Sequence, residues 1–115
     1  MTPETKLKKQ IKRLLAKTPG VTIWSNPNGR AKYQWGAWVS YGLTTGAADL
    51  IGLYAPHGRF IAIETKVGRN KQSPEQIEFQ VEIEAHGGVY ILAYDLEHVL
   101  DRLEKFGVIK QRSLF

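Results

Sequence analysis

Three charged side chains near the middle of the chain lie next to segments that are otherwise apolar. Asp49 comes directly before an apolar segment at Leu50–Tyr54, and Glu64 and Lys66 lie at the end of a second one. Burying charges without partners is costly, so these positions predict a polar site rather than part of the core. Two carboxylates held close together repel each other unless a cation or a proton lies between them. A divalent cation such as Mg²⁺, bound by carboxylates, water and phosphate oxygens, satisfies that requirement.

The two apolar segments predict a β-hairpin that brings the two acids together. The first strand is expected over Leu50–Tyr54 and the second over Arg59–Val67, which is rich in residues that favour β-structure. Ala55–Gly58 between them contains Pro and Gly, which are typical of a turn. A two-residue loop would place Asp49 directly opposite Glu64, whereas a bulge in the turn would shift the register by one residue.

The second strand is expected to be central in the sheet and buried. Side chains alternate between the two faces of a strand, and here both faces begin with apolar residues. One face then ends in a carboxylate and an ammonium group, so the end of the strand must reach solvent or a polar site. One face carries Ile61, Ile63, Thr65 and Val67, and the other carries Phe60, Ala62, Glu64 and Lys66.

Four short segments that bear charged or amide side chains follow one another in a fixed order. They are Glu4 near the start of the first helix, Gly46–Asp49, Ile63–Lys66 and Ser73–Gln76. This order resembles the PD-(D/E)xK nuclease superfamily and, within it, the VRR-NUC family of virus-type replication-repair nucleases. The resemblance extends over most of the chain, as far as Tyr94. Two departures are a threonine where the family more often has valine, and an alanine before the aspartate.

The resemblance implies a metal-dependent endonuclease that hydrolyses phosphodiester bonds with Mg²⁺ or Mn²⁺. Asp49 and Glu64 would hold the ion, and Glu4 would add a ligand directly or through water. The backbone carbonyl of Thr65 would complete the shell. An acid in the first turn of a helix is equally explained by its favourable interaction with the helix dipole, so Glu4 has a purely structural alternative.

The resemblance also assigns catalytic roles to Lys66 and Gln76. Lys66 would position the attacking water or stabilise the charge that develops on phosphorus, and Gln76 would orient Lys66 or the water. A structural alternative exists for Gln76, because Ser73 and Gln76 match a capping box at the start of a helix.

The apolar periodicity predicts a single α/β domain over residues 1–115, with a mixed central sheet and helices on both of its faces. The predicted element order is α-β-β-β-α-β-α, which is also the core order of the restriction-endonuclease-like fold that the resemblance implies. The last residues, Val108–Phe115, are expected to form a final strand or a partner contact. The other expected elements are a helix from Thr2 to Thr18, a strand at Val21–Ser25, a loop at Asn26–Lys32, a helix from Ser73 to His86, a strand at Val89–Tyr94 and a helix between Asp95 and Gly107.

Basic and aromatic residues indicate a polyanionic partner. The net charge is +5, which favours nucleic-acid binding without establishing it. Arg30 and Lys32 in the first loop, and Arg69 and Lys71 after the hairpin, are the candidate contacts to nucleic acid. Asn26 and Asn28 in that first loop are candidates either for DNA binding or for orienting the site.

An aromatic segment follows the first basic loop and consists of Tyr33, Trp35, Trp38 and Tyr41. Rings beside cations can stack on unpaired bases. The alternatives are that these rings cover the sheet or form a subunit contact, where Tyr and Trp are enriched.

Several classes of protein and site are excluded or disfavoured by composition. The chain has no cysteine, which excludes disulfides and thiolate zinc sites. It lacks an apolar signal region at the N-terminus and any apolar segment of membrane length. We therefore expect a cytoplasmic protein, and the resemblance implies a bacterial cell or a virus-infected bacterial cell.

The function expected from the sequence is a structure-selective DNA endonuclease that acts on branched DNA such as four-way Holliday junctions, and that acts as a homodimer. The branched substrate is implied by the resemblance alone. Three alternatives remain open: a flap or nicking nuclease of the same superfamily, a non-catalytic DNA-binding module, and a protein-interaction domain that uses the aromatic segment.

Overall fold

A computed structural model of the chain describes residues 1–110. Those residues form a mixed sheet, three helices and a separate two-stranded hairpin. Of the final strand or partner contact predicted at Val108–Phe115, residues 111–115 lie outside the described residues. The elements are α1 (Pro3–Ala16), β1 (Val21–Ser25), β2 (Gly29–Lys32), β3 (Trp38–Tyr41), β4 (Leu50–Tyr54), β5 (Arg59–Thr65), α2 (Pro74–Ala85), β6 (Val89–Ala93) and α3 (Leu96–Lys105).

The main sheet has the strand order β1-β4-β5-β6. β4 is antiparallel to both β1 and β5, whereas β5 and β6 are parallel, as a right-handed crossover through α2 predicts. Leu50 faces Ile63 and Tyr54 faces Arg59, which is the unbulged one of the two registers that the sequence left open. The predicted central position of β5 is confirmed, although the strand ends at Thr65, two residues earlier than expected.

The helices cover both faces of this sheet, as predicted. On one face, α1 and α3 pack over Ile61 and Ile63, both fully buried. On the other face, α2 packs over Ala62 and Tyr90 through Phe79. Thr2, Ser73 and Asp95 cap the three helices, because each side chain accepts a hydrogen bond from a backbone N–H in the first turn. The two faces of β5 therefore meet different helices, and Glu64 lies on the side of α2.

The predicted loop at Asn26–Lys32 is wrong in its second half. Gly29–Lys32 pairs with Trp38–Tyr41 as an antiparallel hairpin, so the element order is α-β-β-β-β-β-α-β-α. The Asn, Pro and Gly residues of this segment favour a loop by their turn propensity. The pairing comes from β3, whose Trp, Val and Tyr residues favour a strand and supply the partner edge.

The aromatic segment does not cover the main sheet, so that alternative is also wrong. The side chains of Tyr33, Trp35, Trp38 and Tyr41 are 50%, 77%, 57% and 52% exposed. They belong to the hairpin and to the turn that joins its strands.

Candidate active site

The site lies where β4 begins and β5 ends. Asp49 comes directly before β4, and Glu64 is the next-to-last residue of β5. Continuing the observed register by one residue places these two residues opposite each other. Glu64 is only 3% exposed, whereas Asp49 is partly exposed. The two carboxylates therefore meet at a boundary between the core and solvent.

Thr65 holds the carboxylate of Asp49 in place. Its backbone N–H and its hydroxyl both donate to Oδ2 of Asp49, at 3.0 and 2.7 Å. Thr65 itself is fully buried at the end of β5. Because both bonds go to Oδ2, the other oxygen, Oδ1, is left facing the ammonium group of Lys8 at 3.9 Å. Charge-assisted bonds of this kind fix the orientation of a carboxylate well.

The carboxylate of Glu64 has one oxygen with partners and one without. Oε2 accepts a hydrogen bond from Nε2 of Gln76 at 3.2 Å and lies 3.9 Å from Nζ of Lys66. Oε1 is buried and has no hydrogen-bond partner within residues 1–110. A buried polar atom without a partner is costly, which makes Oε1 a candidate to bind a cation or a proton.

Burial and neighbouring charge favour the protonated form of Glu64. Desolvation is the largest cause and the negative charge of Asp49 is the next, and together they raise the pKa of Glu64 to about 8 against the opposing effect of Lys66. The two carboxyl groups are close enough for protonated Glu64 to share a hydrogen bond with Asp49. The pair therefore needs positive charge between its members at neutral pH.

Gln76 fills both of the roles that the sequence left open. Its Oε1 accepts from the backbone N–H of Ser73 at 2.9 Å, and the hydroxyl of Ser73 accepts from the backbone N–H of Gln76. This completes the capping box, and it leaves Nε2 free to donate to Glu64. The sequence predicted an approach to Lys66 or to water, whereas the observed hydrogen bond goes to Glu64.

A glycine allows the loop before Asp49 to pass close to α2. Gly46 has φ +84°, and a Cβ at this position would collide with the backbone of Glu75. Only glycine tolerates both that dihedral angle and that contact without strain. The approach sets the distance between the Asp49 segment and the first turn of α2, which carries Gln76.

Lys8 belongs to the candidate site, although the sequence did not predict it. It lies on α1 and its ammonium group forms the ion pair with Asp49 described above. The spacing in the sequence could have predicted it, because Lys8 is four residues after Glu4 and therefore shares a face of the helix with it.

Two asparagines fix the segment that leads into Asp49. Asn26 is buried; its side chain donates to the carbonyl of Ala48 at 3.0 Å and its backbone N–H donates to the carbonyl of Asp49 at 2.8 Å. The side chain of Asn28 donates to the carbonyl of Ala47 at 2.9 Å. Of their two predicted roles, these contacts favour orientation of the site.

Glu4 lies near enough to the pair for its charge to help raise the pKa of Glu64, although it contributes less than Asp49 does. Within residues 1–110, however, no group of three or more acidic, histidine or cysteine side chains could hold a metal ion. A contribution from Glu4 through water and one from the Thr65 carbonyl therefore stay predictions. The oxygen atoms present, Oε1 of Glu64 and Oδ1 of Asp49, do fit a hard divalent cation.

The predicted nucleic-acid contacts lie on two segments other than those that carry the carboxylates. Arg30 and Lys32 are exposed on β2 of the separate hairpin. Arg69 and Lys71 are exposed in the loop that joins β5 to α2, a few residues after Lys66. The structure thus brings together the predicted acids, Lys66 and Gln76, and distributes the predicted basic contacts on two segments around them.

No protein-family model and no curated protein matches this chain. The resemblance to the VRR-NUC family therefore stays a prediction from the residues, and the function proposed below rests on the geometry of the site. Within the part of the chain that the structure describes, no helix is long and apolar enough to cross a membrane.

Proposed function

We propose that this protein is a DNA endonuclease that hydrolyses phosphodiester bonds with Mg²⁺ or Mn²⁺. The observation that carries the proposal is the pair of carboxylates at the end of β5. Each has one oxygen that accepts a hydrogen bond from the protein. Of the other two oxygens, Oε1 of Glu64 is buried without a hydrogen-bond partner in residues 1–110, and Oδ1 of Asp49 faces Lys8 at 3.9 Å. The order of residues that resembles the VRR-NUC family supports the same function.

The donor set fits such an ion. Mg²⁺ and Mn²⁺ prefer oxygen ligands, and one or two carboxylates with water and substrate phosphate are a common arrangement for Mg²⁺. The high pKa of Glu64 shows that the pair holds a proton readily when nothing else neutralises it. A divalent cation would take the place of that proton and relieve the repulsion between Asp49 and Glu64.

The side chains around the pair have distinct tasks in this proposal. When bound, the ion would supply Lewis-acid polarisation of the phosphate and activation of water. Thr65 fixes the direction of Asp49, and Gln76 fixes that of Glu64. Lys66 is partly buried, with 17% of its side chain exposed, so its charge is available to stabilise negative charge on the phosphoryl group.

The substrate we propose is branched DNA, such as a four-way junction, cut by a homodimer. One chain supplies one candidate centre and so cuts one strand at a time, whereas resolving a junction requires two cuts. A two-fold dimer would present two identical centres symmetrically. Light scattering should then give a mass near twice 13.0 kDa. A monomer that makes single unpaired nicks would indicate a flap or nicking nuclease instead.

A non-catalytic DNA-binding module is the second candidate, and one observation favours it. The described residues lack a group of three metal-ligating side chains, which many metal-dependent enzymes possess. The exposed cations and rings of the hairpin would serve such a module equally well.

A cleavage assay with a matched pair of variants separates these candidates. Single-stranded, duplex, flap, nicked and four-way junction DNA would be incubated with Mg²⁺, Mn²⁺, Ca²⁺ or excess chelator. We expect cleavage with Mg²⁺ or Mn²⁺ and binding with little turnover in Ca²⁺, whose larger and looser shell aligns water poorly. Glu64→Gln should be inactive, and Glu78→Gln, an exposed acid on α2, should match the parent. Full activity in chelator, or in purified Glu64→Gln, would exclude the proposed mechanism.

A further inference from the structure

The β2–β3 hairpin is an independent element whose strands make their substantial contacts with each other, not with the helices or the main sheet. It is joined to the rest of the chain at its root, through Asn26 and Asn28. The molecule is correspondingly elongated, with extents of 55 × 32 × 24 Å. An exposed ribbon of this kind contributes little to the core, so its sequence needs another explanation.

One face of the hairpin combines cations with an aromatic ring. The observed register places Arg30 opposite Ser40 and Lys32 opposite Trp38, which puts all four side chains on the same face. The guanidinium of Arg30 lies 5.2 Å from the centre of the Trp38 ring, and Nζ of Lys32 lies 5.8 Å from it. Cation–π contacts of this kind hold the two charges in place while leaving them exposed to a ligand.

The turn of the hairpin presents a second aromatic surface. The rings of Tyr33 and Trp35 stack at 5.2 Å with only 8° between their planes. Trp35 is 77% exposed, so the side of its ring that faces away from Tyr33 is open to solvent. The turn is closed by a hydrogen bond from the N–H of Tyr33 to the carbonyl of Ala37. A pre-stacked ring with an open face suits stacking on a planar ligand.

A cleft lies between the hairpin and the loop that leads to Asp49. It has a volume of ≈ 460 Å³, and its lining runs from Arg30 and Ser40 on the hairpin to Gly46 in the main body. Gly46 is three residues before Asp49. A strand bound along the hairpin could therefore also contact the loop that precedes Asp49.

We propose that the hairpin is a nucleic-acid-binding arm that holds unpaired nucleotides, with Trp35 stacking on a base and with Arg30 and Lys32 on the phosphates. Duplex DNA keeps its bases inside the stack, so the arm favours single-stranded segments and branch points over a blunt duplex. Exposed rings interleaved with cations are the combination that binds single strands. Binding by the arm is independent of catalysis, but its role in choosing where DNA is cut rests on the proposed nuclease function.

The first test measures binding in the inactive Glu64→Gln protein with Ca²⁺ present. The probes are a labelled single strand, the blunt duplex of the same sequence and a four-way junction. Binding of each probe is measured by fluorescence anisotropy. Trp35→Ala should weaken binding of the single strand and the junction by about 10- to 100-fold. The matched control is Trp24→Ala on β1, an exposed tryptophan outside the hairpin, which should bind like its parent.

The second test uses the cations. Arg30→Ala with Lys32→Ala should weaken binding of all three probes. For each lost contact, the dependence of log affinity on log salt should fall by roughly 0.7 with the single strand and roughly 0.9 with duplex DNA. Lys105→Ala on α3 is the control, since its only described ion pair is an exposed one with Asp101. All hairpin variants should keep the melting temperature of the parent, because the side chains concerned are exposed.

Two results would overturn the inference. One is unchanged binding of every probe in Trp35→Ala and in the double cation variant. The other is conversion of a dimer to a monomer by these variants, which would identify the hairpin as an interface between copies of the chain. If binding depends on Trp35 but the parent protein cleaves nothing, the arm stands and the proposed nuclease function fails.

Discussion

The end of β5 and the β2–β3 hairpin both carry charge, but they hold it in opposite ways. At the end of β5, Glu64 is buried, and Thr65 and Gln76 each fix one oxygen of a carboxylate. On the hairpin, Arg30 and Lys32 are exposed and their described contacts are with a ring on the same ribbon.

If the proposed function is right, this difference predicts separate roles for the two regions. Chemistry at a phosphate requires groups that are already oriented, because reorganising charge during the reaction is costly. Recognition of a flexible strand instead requires exposed groups that can follow the ligand. The site is therefore expected to control rate, and the hairpin to control affinity.

The largest expected effect is the contrast between a variant of the carboxylate pair and a variant of the hairpin. Glu64→Gln should lower the cleavage rate at saturating DNA by roughly a thousandfold or more, since a catalytic metal is worth several kcal/mol. It should leave DNA affinity nearly unchanged. Trp35→Ala should do the reverse, raising the dissociation constant while preserving the single-turnover rate at saturation. Single-turnover kinetics over a range of protein concentrations measure both quantities.

A hairpin variant that lowers the cleavage rate at saturating DNA as much as Glu64→Gln does would contradict the separate roles proposed for the site and the hairpin. The stability of each variant should be checked by thermal unfolding. Glu64→Gln is expected to be at least as stable as the parent without metal, because it removes a carboxyl group whose charged form is disfavoured first by burial and then by Asp49.

The second prediction concerns pH, to which the site should respond and the hairpin should not. Unfolded chain releases the Glu64 proton near pH 4.5, whereas the folded protein keeps it to about pH 8. The folded state therefore binds more protons in this window, and the free energy of unfolding of the metal-free protein should fall as pH rises through it. Urea unfolding at a series of pH values in chelator measures the slope.

Glu64→Gln should flatten that slope, and Trp35→Ala should retain it. The same proton must leave when a cation binds, so the affinity for Mn²⁺ should rise with pH across the window. Calorimetry in two buffers of different ionisation enthalpy should detect the proton released. An equal slope in Glu64→Gln would show that another group is responsible.

The third prediction separates orientation of the site from stability of α2. Gln76→Ala removes both the hydrogen bond to Glu64 and half of the capping box, and activity should fall about 10- to 100-fold, as for other residues that orient ligands. Ser73→Ala removes the other half of the cap and leaves the bond to Glu64. It should cost about 1 kcal/mol of stability with little change in rate.

Gln76→Glu separates the two roles further. A glutamate keeps the oxygen that accepts from the backbone N–H of Ser73, but it places a carboxylate next to Glu64 in place of the amide donor. The variant should lose activity although the acceptor of the cap is kept. Equal rates in Gln76→Ala and Ser73→Ala would mean that Gln76 acts only through the helix.

The smallest effect is expected at Thr65. Thr65→Val removes the hydroxyl that donates to Asp49, but the backbone N–H of residue 65 still donates to the same oxygen. The rate should therefore fall roughly tenfold or less. Thr22→Val on β1, at an exposed position, is the control. A complete loss of activity would show that the hydroxyl has a further role.

The sequence predicted the parts of the fold that depend on local pattern. Alternation in β5 identified a central strand, the turn at Ala55–Gly58 left two registers open, and the capping residues marked the starts of three helices. The proximity of Asp49 and Glu64 followed from either register. These features depend on residues close together in the chain, or on a hairpin whose geometry the turn determines.

The features that the sequence did not predict depend on contacts between segments that are separated along the chain. β2 has weak strand propensity and forms because β3 offers it an edge. Lys8 reaches Asp49 only because α1 packs across the sheet. The bond from Thr65 to Asp49 likewise requires the strand end and the loop before β4 to meet, which residue types alone do not reveal.

The root of the hairpin is held by main-chain acceptors, and this affects how freely the arm can be replaced. Asn26 and Asn28 bond to carbonyl groups of residues 47 and 48, which exist whatever side chains those positions carry. Gly42 closes the root on the other side, where a Cβ would collide with Asn28. The segment between Asn28 and Gly42 is thus attached through contacts that do not depend on the side chains of residues 47 and 48. We therefore expect that ribbons of other lengths and ring contents could replace this one between Asn28 and Gly42 without disturbing the carboxylate pair.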